Sequence, residues 1–356
     1  MGKLRVGLVG MGRGTVYVSQ FQNHTRTEVN AICDVNPVIL EEKRTAYGLK
    51  SSQVFQNYDD FVKADLDIVF IASPEPFHAE QAVKALEAGK HVLSEVGMAT
   101  TVKDCDRIVQ TVKRTGMKYM MAENYYYYNF IQEWKKIIQG GKLGRIFYTE
   151  SEYVHPIRDI LRDPKTGKLT WRANRPPLYY CSHCIGPLLL LLDDRIVKAT
   201  ASGKAITMMT DVGIGAIDMQ VGIFETHKGA TIKMLRSQVA PRAPPIVYYS
   251  IYGTKGFVEN GRSAAWQNSK GTLYIEGGEA RTVDCFISDL NIPEEARKGG
   301  QGTSEYYVIR DFIKAIDEDT EPPINAVRAA DITIPGLIAH EAAMKGNIWL
   351  DVPHFE

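Results

Sequence analysis

A short apolar strand that runs directly into a glycine-rich turn constrains the fold of this chain more than any other feature. The strand pattern LRVGLV covers residues 4–9, and a helical pattern begins at Thr15. The turn between them is built from Gly10, Met11, Gly12, Arg13 and Gly14. Glycines let such a turn bend tightly and approach a ligand closely, and the free N–H groups of the helix start bind phosphate. Thr15 takes the place of the usual third small residue, so the spacing departs from G-x-G-x-x-G.

An acidic residue at the end of the second predicted strand suggests which ligand the turn binds. Asp34 closes the strand EVNAICD and lies near the spacing of roughly 20 residues that a ribose-binding carboxylate has after the first glycine. A carboxylate there accepts hydrogen bonds from both ribose hydroxyls and repels a 2′-phosphate. The sequence therefore predicts NAD rather than NADP. The alternative is a glycine-rich turn that binds no ligand.

The hydrophobic pattern divides the chain into two halves. Residues 1–123 alternate short apolar strands with amphipathic helices, which predicts a doubly wound parallel sheet of the Rossmann type. Residues 124–356 carry longer alternating strands with glycine-containing turns, which predicts a second α/β domain on an open, mainly antiparallel sheet. The apolar run at residues 188–192 is expected to start a buried helix.

Composition excludes several classes of function. Lys plus Arg and Asp plus Glu each number 42, so no net field attracts nucleic acid or an anionic membrane. No apolar stretch approaches the ~20 residues of a membrane helix, and the first residues do not fit a signal peptide. An odd count of 5 cysteines in a long chain favours a reduced, cytoplasmic protein.

Four segments together resemble the Gfo/Idh/MocA family of nicotinamide-dependent proteins that act on sugars. They are the glycine turn, IASPEPFH at 71–78, KHVLSEVG at 90–97 and YYSIYGTKGFVE at 248–259. The resemblance implies an enzyme with NAD as its cofactor and a small carbohydrate as its substrate, bound between the domains over the nicotinamide. It also implies a homo-oligomer, a dimer or tetramer, joined through the C-terminal sheet.

The same resemblance assigns roles to residues after the third and later strands. It implies that Ser73, Pro74 and His78 flank the cofactor, and that Glu95 and Asn124 lie near the nicotinamide ribose. For each of them the alternative is a capping or turn role, and His78 stands at a predicted helix start.

One position departs from the sugar dehydrogenases of this family. Val96 stands where they have a lysine that contacts the reacting hydroxyl. Valine neither donates a hydrogen bond nor moves a proton, so an acid–base group must come from elsewhere in the chain.

A second set of segments is similar to the family's redox-assisted glycoside hydrolases, which also have valine in place of that lysine. The segment YYCSHCIGP matches their Tyr-x-x-His-x-x-Gly-Pro pattern and implies Tyr180 and His183 as catalytic residues. EYVHPIRD implies substrate contacts from His155 and Arg158. Gln301 departs from the pattern, because those hydrolases tend to have a histidine there.

The chemistry of these residue types supports several interpretations. A neutral histidine, with an ordinary pKa near ~6.5, can take a hydroxyl proton during hydride transfer, whereas a tyrosine near ~10 needs a neighbouring positive charge. Trp171 and Arg172 can stack on and hydrogen-bond a sugar ring, with a role in surface structure as the alternative. The leading hypothesis is an NAD-dependent sugar oxidoreductase. The alternatives are a redox-assisted glycosidase and a non-catalytic NAD or sugar sensor.

A metal site is not expected. Cys181 and Cys184 flank His183 in a C-x-x-C spacing, but a structural zinc ion needs four ligands and the other cysteines are single and distant.

Overall fold

The computed structural model describes residues 2–262, 268–292 and 302–356 of the chain. These residues form two compact units. The N-terminal unit consists of Met1–Asn124, Leu290–Ala330 and Phe355–Glu356, and the C-terminal unit consists of Tyr125–Asp289 and Asp331–His354. The chain thus divides differently from the single boundary that was expected after residue 123, because a late segment packs with the N-terminal unit.

The described residues form α-helices and β-strands with the following bounds. The helices are α1 (Thr15–Asn23), α2 (Pro37–Ala46), α3 (Tyr58–Phe61), α4 (His78–Glu87), α5 (Val102–Thr115), α6 (Asn129–Gln139), α7 (Ser182–Leu192), α8 (Ser304–Asp317) and α9 (Ala326–Met344). The strands are β1 (Leu4–Val9), β2 (Thr27–Cys33), β3 (Val54–Phe55), β4 (Ile68–Ile71), β5 (His91–Ser94), β6 (Tyr119–Met121), β7 (Ile146–Val154), β8 (Ile196–Ser202), β9 (Gln220–Thr226), β10 (Thr231–Ser237), β11 (Ile246–Gly253), β12 (Gly256–Asn260), β13 (Asn268–Ile275), β14 (Arg281–Phe286) and β15 (Leu350–Asp351). Within the described ranges, no helix combines the length and the apolar character that crossing a bilayer requires.

The N-terminal unit carries the predicted parallel sheet. Its described strands form a six-stranded sheet in the order β3-β2-β1-β4-β5-β6, and every pair in it is parallel. The strand order reverses between β1 and β4, and the crevice outside the carboxyl ends of strands at such a point binds ligands in open α/β sheets. The glycine turn follows β1 and therefore lies at the carboxyl ends of the strands, where the strand order reverses.

Local signals explain where the helices of this unit begin and end. Asn36 caps α2 by accepting hydrogen bonds from the backbone of Val38 and Ile39, and Pro37 occupies the first helical position. Thr101 caps α5 in the same way, and Gly116 ends it in the left-handed conformation at φ 70°. These short-range signals are why the sequence predicted the helices of this half well.

The C-terminal unit is built on a nine-stranded sheet of the described residues, in the order β14-β13-β12-β11-β7-β10-β9-β8-β15. All of its neighbouring strands are antiparallel except β7 and β10, which run parallel. The predicted fold class, a Rossmann sheet with a second, mainly antiparallel α/β domain, is confirmed. The parallel pair matters for the site, because it sets Arg236 of β10 beside Tyr153 of β7.

The prediction for the apolar run at 188–192 was wrong in one respect. The run is largely buried, but it ends α7 rather than starting it, and Asp193 terminates the helix in the left-handed conformation at φ 46°. Pro187 lacks an N–H, so the carbonyl of His183, four residues earlier, loses its helical partner. The hydroxyl of Tyr249 donates to that carbonyl instead. The helix therefore continues through the proline.

Candidate active site

The glycine turn after β1 needs its first and third glycines for its own folding. Gly10 has a φ of +90°, and a Cβ added there would lie 2.5 Å from the carbonyl of Ala72. A Cβ added at Gly14 would lie 2.6 Å from the carbonyl oxygen of Gly10. A Cβ at Gly12 would meet nothing within 4 Å. The chain thus leaves open the position where a bound pyrophosphate approaches the backbone.

The carboxylate of Asp34 is fixed beside this turn. Its Oδ2 accepts a hydrogen bond from the backbone N–H of Met11 at 2.7 Å, and its Oδ1 accepts one from the N–H of Asn36 at 2.9 Å. Next to it, Val35 and Val38 are 87% and 75% exposed, an unusual surface for valine and one suited to the flat face of an adenine. These residues fit a dinucleotide whose ribose carries a free 2′-hydroxyl.

The ring of His78 ties two loops of the N-terminal unit together. It is 1% exposed, and its Nδ1 and Nε2 lie 2.8 Å from the carbonyl of Gly97 and 2.7 Å from the carbonyl of Ser73. The hydroxyl of Ser73 donates to Gln81, and Pro74 stands at the start of a short 3₁₀ helix. Both ring nitrogens of His78 are therefore engaged by the chain itself. The placement of these three residues beside the cofactor stays a prediction.

A buried polar cluster lies at the carboxyl end of β5 and β6. Arg13 of the glycine turn pairs with Glu95 at 2.8 Å between Nε and Oε1. The amide of Asn124 donates to Ser304 at 3.2 Å, and the hydroxyl of Ser304 donates to Glu305 at 3.0 Å. Burial raises the pKa of Glu305. Sequence reasoning missed Ser304 and Glu305, because no local signal shows that α8 returns to this unit.

In the C-terminal unit, the two predicted catalytic side chains are in contact. The Tyr180 hydroxyl lies 3.1 Å from Nε2 of His183, although Tyr180 precedes α7 rather than belonging to it. The ring of Tyr125 stacks on His183, with centroids 3.8 Å apart and planes 5° from parallel. Tyr153 lies edge-on to His183 at 5.8 Å, and its hydroxyl is 2.9 Å from Nδ1 of His155. Of the tyrosine run at 125–128, Tyr125 is thus the member that packs on His183.

Two guanidinium groups flank the phenol ring of Tyr180. Arg175 lies 4.2 Å from its centroid, and Arg236 lies 5.6 Å from it and 4.5 Å from that of Tyr153. Burial lowers the pKa of Arg236, and burial together with Arg236 and His183 lowers the pKa of His155. Sequence reasoning missed both arginines. A signal for Arg236 existed, because the alternation of β10 places it on the inward face with Ile232 and Met234.

The remaining predicted substrate residues lie in the segment between β7 and α7. Arg172 stacks over the ring of Trp171 at 4.4 Å, and Arg175 lies 4.9 Å from the same ring. Arg158 holds the segment after β10, since its Nε donates to the carbonyl of Val239 at 2.6 Å. Gln301 lies outside the described residues. The roles of Trp171, Arg172, His155 and Arg158 toward substrate stay predictions.

The C-x-x-C pair shows no metal-binding arrangement. The thiol of Cys181 donates to the carbonyl of Ile332 at 3.1 Å. Across the part of the chain that the structure describes, no three His, Cys, Asp or Glu side chains are grouped as metal ligands.

Two sequence profiles of known families match this chain. One, described as an oxidoreductase family with an NAD-binding Rossmann fold, matches residues 4–123. The other, described as a GFO/IDH/MocA C-terminal domain, matches residues 131–259. The first profile covers the glycine turn and Asp34, and the second covers Tyr180 and His183.

Individual relatives carry names of sugar-active proteins. A glycosyl hydrolase family 109 protein of Shewanella pealeana is 30% identical over 287 residues, covering 72% of this chain and 63% of that relative's length. An alpha-N-acetylgalactosaminidase of Shewanella oneidensis is 28% identical over 360 residues, covering 89% of this chain and 78% of that protein. The solved structure of a levoglucosan dehydrogenase with NADH and L-sorbose matches with a TM-score of 0.83 and 20% identity, covering 100% of both chains. At that identity the likeness shows the shared fold.

Proposed function

We propose, from the premise that this chain belongs to the Gfo/Idh/MocA oxidoreductase family and carries its NAD-binding Rossmann domain, that it oxidises a secondary hydroxyl of a sugar, glycoside or polyol. The observation that carries the proposal is the contact between Tyr180 and His183, 3.1 Å apart, in a pocket of aromatic rings and guanidinium groups. The position of the family's usual lysine is filled by the buried Val96, so this pair is the acid–base group that the chain offers.

The N-terminal unit supplies the residues that would hold the cofactor. The glycine turn presents backbone N–H groups to a pyrophosphate, and Asp34 accepts hydrogen bonds from the ribose. When bound, NAD supplies the acceptor for the hydride. The side chains proposed to flank it are Ser73, Pro74, His78, Glu95 and Asn124.

The C-terminal unit supplies the proton chemistry. As a hydroxyl becomes a carbonyl, its proton must leave with the hydride, and a neutral imidazole is a suitable acceptor near neutral pH. The Nε2 of His183 faces the Tyr180 hydroxyl, so either group can receive the proton directly and share it with the other. Tyr125 stacks on the imidazole and restricts its rotation.

A second candidate, redox-assisted glycoside hydrolysis, is favoured by Val96 and by the names of the relatives. Oxidation of a ring hydroxyl to a ketone makes the neighbouring C–H acidic. His183 or Tyr180 then removes that proton, and the bond to the leaving oxygen breaks by elimination. Water adds and the carbonyl is reduced again, so no reduced cofactor accumulates. Such a route needs no carboxylate pair of the kind that ordinary glycosidases use.

One experiment distinguishes the candidates. The protein with NAD is incubated with free sugars, polyols and nitrophenyl glycosides, including the N-acetyl-α-galactosaminide, while absorbance at 340 nm and phenol release are followed together. Stoichiometric NADH supports the dehydrogenase, and phenol release without net NADH supports the hydrolase. If the protein binds NAD but gives neither NADH nor phenol, both enzymatic candidates are refuted and a non-catalytic sensor remains.

The proposal includes a homo-oligomer joined through the C-terminal sheet. One face of that sheet carries a half-exposed row of aromatic rings across four strands, formed by Tyr148, Tyr252, Phe257 and Tyr274. Exposed aromatic surface of this kind is typical of protein contacts. Light scattering after size exclusion tests this, and Phe257→Glu should shift an oligomer toward the monomer. A native protein that is already monomeric would refute it.

A reducing, cytoplasmic setting is also part of the proposal. It is supported by Cys33, Cys105 and Cys285, which are buried free thiols.

A further inference from the structure

We propose that Arg236 is a positioning residue that stabilises negative charge on the phenol oxygen of Tyr180. This inference rests on the proposed function for its catalytic meaning, because it assigns Arg236 a role exerted through Tyr180. The electrostatic statement itself concerns only side chains of the C-terminal unit, and it can be tested without any substrate.

The burial of Arg236 is the first observation. Its side chain is 1% exposed and is among the largest fully buried side chains of the described residues. One of its terminal nitrogens donates to the carbonyl of Tyr153 at 3.1 Å and to that of Ser237. In the described part of the chain no carboxylate forms an ion pair with it, and its Nε has no hydrogen-bond partner. An uncompensated buried cation is costly.

The surroundings of Arg236 indicate what offsets that cost. Its neighbours are polarisable groups that can carry negative charge: the rings of Tyr153 and Tyr180 and the thiol of Cys184. Burial raises the pKa of Tyr153, and the charge of Arg236 opposes that rise. Arg236 therefore already acts on one buried phenol, and Tyr180 lies within the range of the same charge.

Cationic and protonatable side chains face Tyr180 from three parts of the C-terminal unit. Arg175 faces it from the segment between β7 and α7, Arg236 from β10, and His183 from α7. Tyr153 of β7 lies 6.1 Å from its ring. Asp159 lies near enough to His155 to act on its charge. Two guanidinium groups this close to the ring of Tyr180 favour the phenolate, because opposite charges in a water-poor site interact strongly.

The consequence for catalysis is a larger fraction of Tyr180 ready to accept a proton. A phenolate accepts the proton of a substrate hydroxyl through its lone pair and returns to the neutral phenol, while the electron pair of the broken O–H bond stays on the substrate oxygen. A tyrosine, with an ordinary pKa near ~10, needs a neighbouring positive charge to serve as a base near neutral pH. Arg236, together with Arg175, supplies it.

The test is a direct titration of Tyr180 without substrate. The protein is labelled with tyrosine carrying ¹³C at the hydroxyl-bearing carbon, and the Tyr180 signal is assigned by its loss in Tyr180→Phe. The chemical shift is followed against pH in the native protein, in Arg236→Met and in Arg236→Lys. We expect the midpoint to rise by about one unit or more in Arg236→Met and to stay near the native value in Arg236→Lys. An unchanged midpoint in a folded Arg236→Met protein overturns the proposal.

Arg262→Met is a matched control. Arg262 also lies over a tyrosine ring, 4.9 Å from that of Tyr248, but its side chain is 57% exposed and it pairs with Glu152. Its loss should leave the Tyr180 midpoint unchanged, and an equal shift in this variant would refute a specific effect of Arg236.

If Arg236→Met fails to fold by circular dichroism, Arg236→Gln replaces it, because its neutral amide can still donate a hydrogen bond to the carbonyl that Arg236 contacts. It is expected to raise the midpoint in the same direction, and an unchanged midpoint again overturns the charge argument. The titration measures no turnover. A lack of sugar activity would therefore refute the proposed function without deciding whether Arg236 acts on Tyr180.

Discussion

Removal of the Asp34 charge should relax the preference for NAD over NADP, and the structure sets the size of the effect. The carboxylate is held by the N–H groups of Met11 and Asn36, at 2.7 and 2.9 Å. Its remaining lone pairs are available to the ribose. A hydrogen bond to a charged group contributes about 1.5–3 kcal/mol. Asp34→Ala should therefore weaken NAD binding roughly 10- to 100-fold.

The effect on NADP runs the other way. Two like charges ~4 Å apart near a protein surface repel by ~4 kcal/mol, and partial exposure and salt reduce this to roughly 1–3 kcal/mol. Asp34→Asn keeps the shape of the side chain and removes this repulsion. We expect the affinity for NADP relative to NAD to rise roughly 5- to 100-fold.

Isothermal titration of both nucleotides measures the two affinities in each variant. Asp65→Asn is the control, because Asp65 is a 78% exposed carboxylate of the same unit that pairs with Arg5. It should leave the ratio of affinities unchanged. A folded Asp34→Asn protein with the native ratio would refute the assignment of Asp34 to the ribose.

His183→Ala should lower turnover about 10²- to 10⁴-fold while NAD binding by titration stays native, and native turnover would remove His183 from the mechanism. Gly12→Ala should weaken NAD binding, because its Cβ would occupy the space into which the pyrophosphate approaches. It should leave the melting temperature unchanged, because that Cβ meets no protein atom within 4 Å. Gly10→Ala should lower the melting temperature, because its Cβ would lie 2.5 Å from backbone atoms. Burial raises the pKa of Glu305, so the stability from this group is present in acid and lost as the pH rises through that raised value. Glu305→Gln should therefore raise the melting temperature more at pH 8 than at pH 5 in calorimetry, and an equal change at both would contradict this reasoning.

The parts of the fold and site that the sequence predicted are those encoded by neighbouring residues. The glycine turn, Asp34 at the end of β2 and the Asn36 cap are specified within one strand–turn–helix segment. Tyr180 and His183 are also close in the sequence, and a 3₁₀ turn followed by the start of α7 brings their side chains into contact.

The parts that the sequence did not reveal depend on contacts between distant segments. Arg236 lies beside Tyr153 because β10 pairs in parallel with β7, a pairing that the predicted antiparallel pattern did not include. Glu305 joins the cluster of Glu95 because α8 belongs to the N-terminal unit. Neither pairing leaves a periodic signal in the chain.

The sequence by itself determined the Rossmann sheet, its glycine turn and the residue types of the proposed acid–base pair, since backbone conformation and hydrophobic period are local properties. Only the tertiary structure decided which charges face that pair. The electrostatic environment of Tyr180 is set by Arg175, 4.2 Å from its ring, and by Arg236, 5.6 Å from it. Coulomb interactions depend on distance in space, and distance in space between remote segments is fixed by strand pairing and packing rather than by position along the chain.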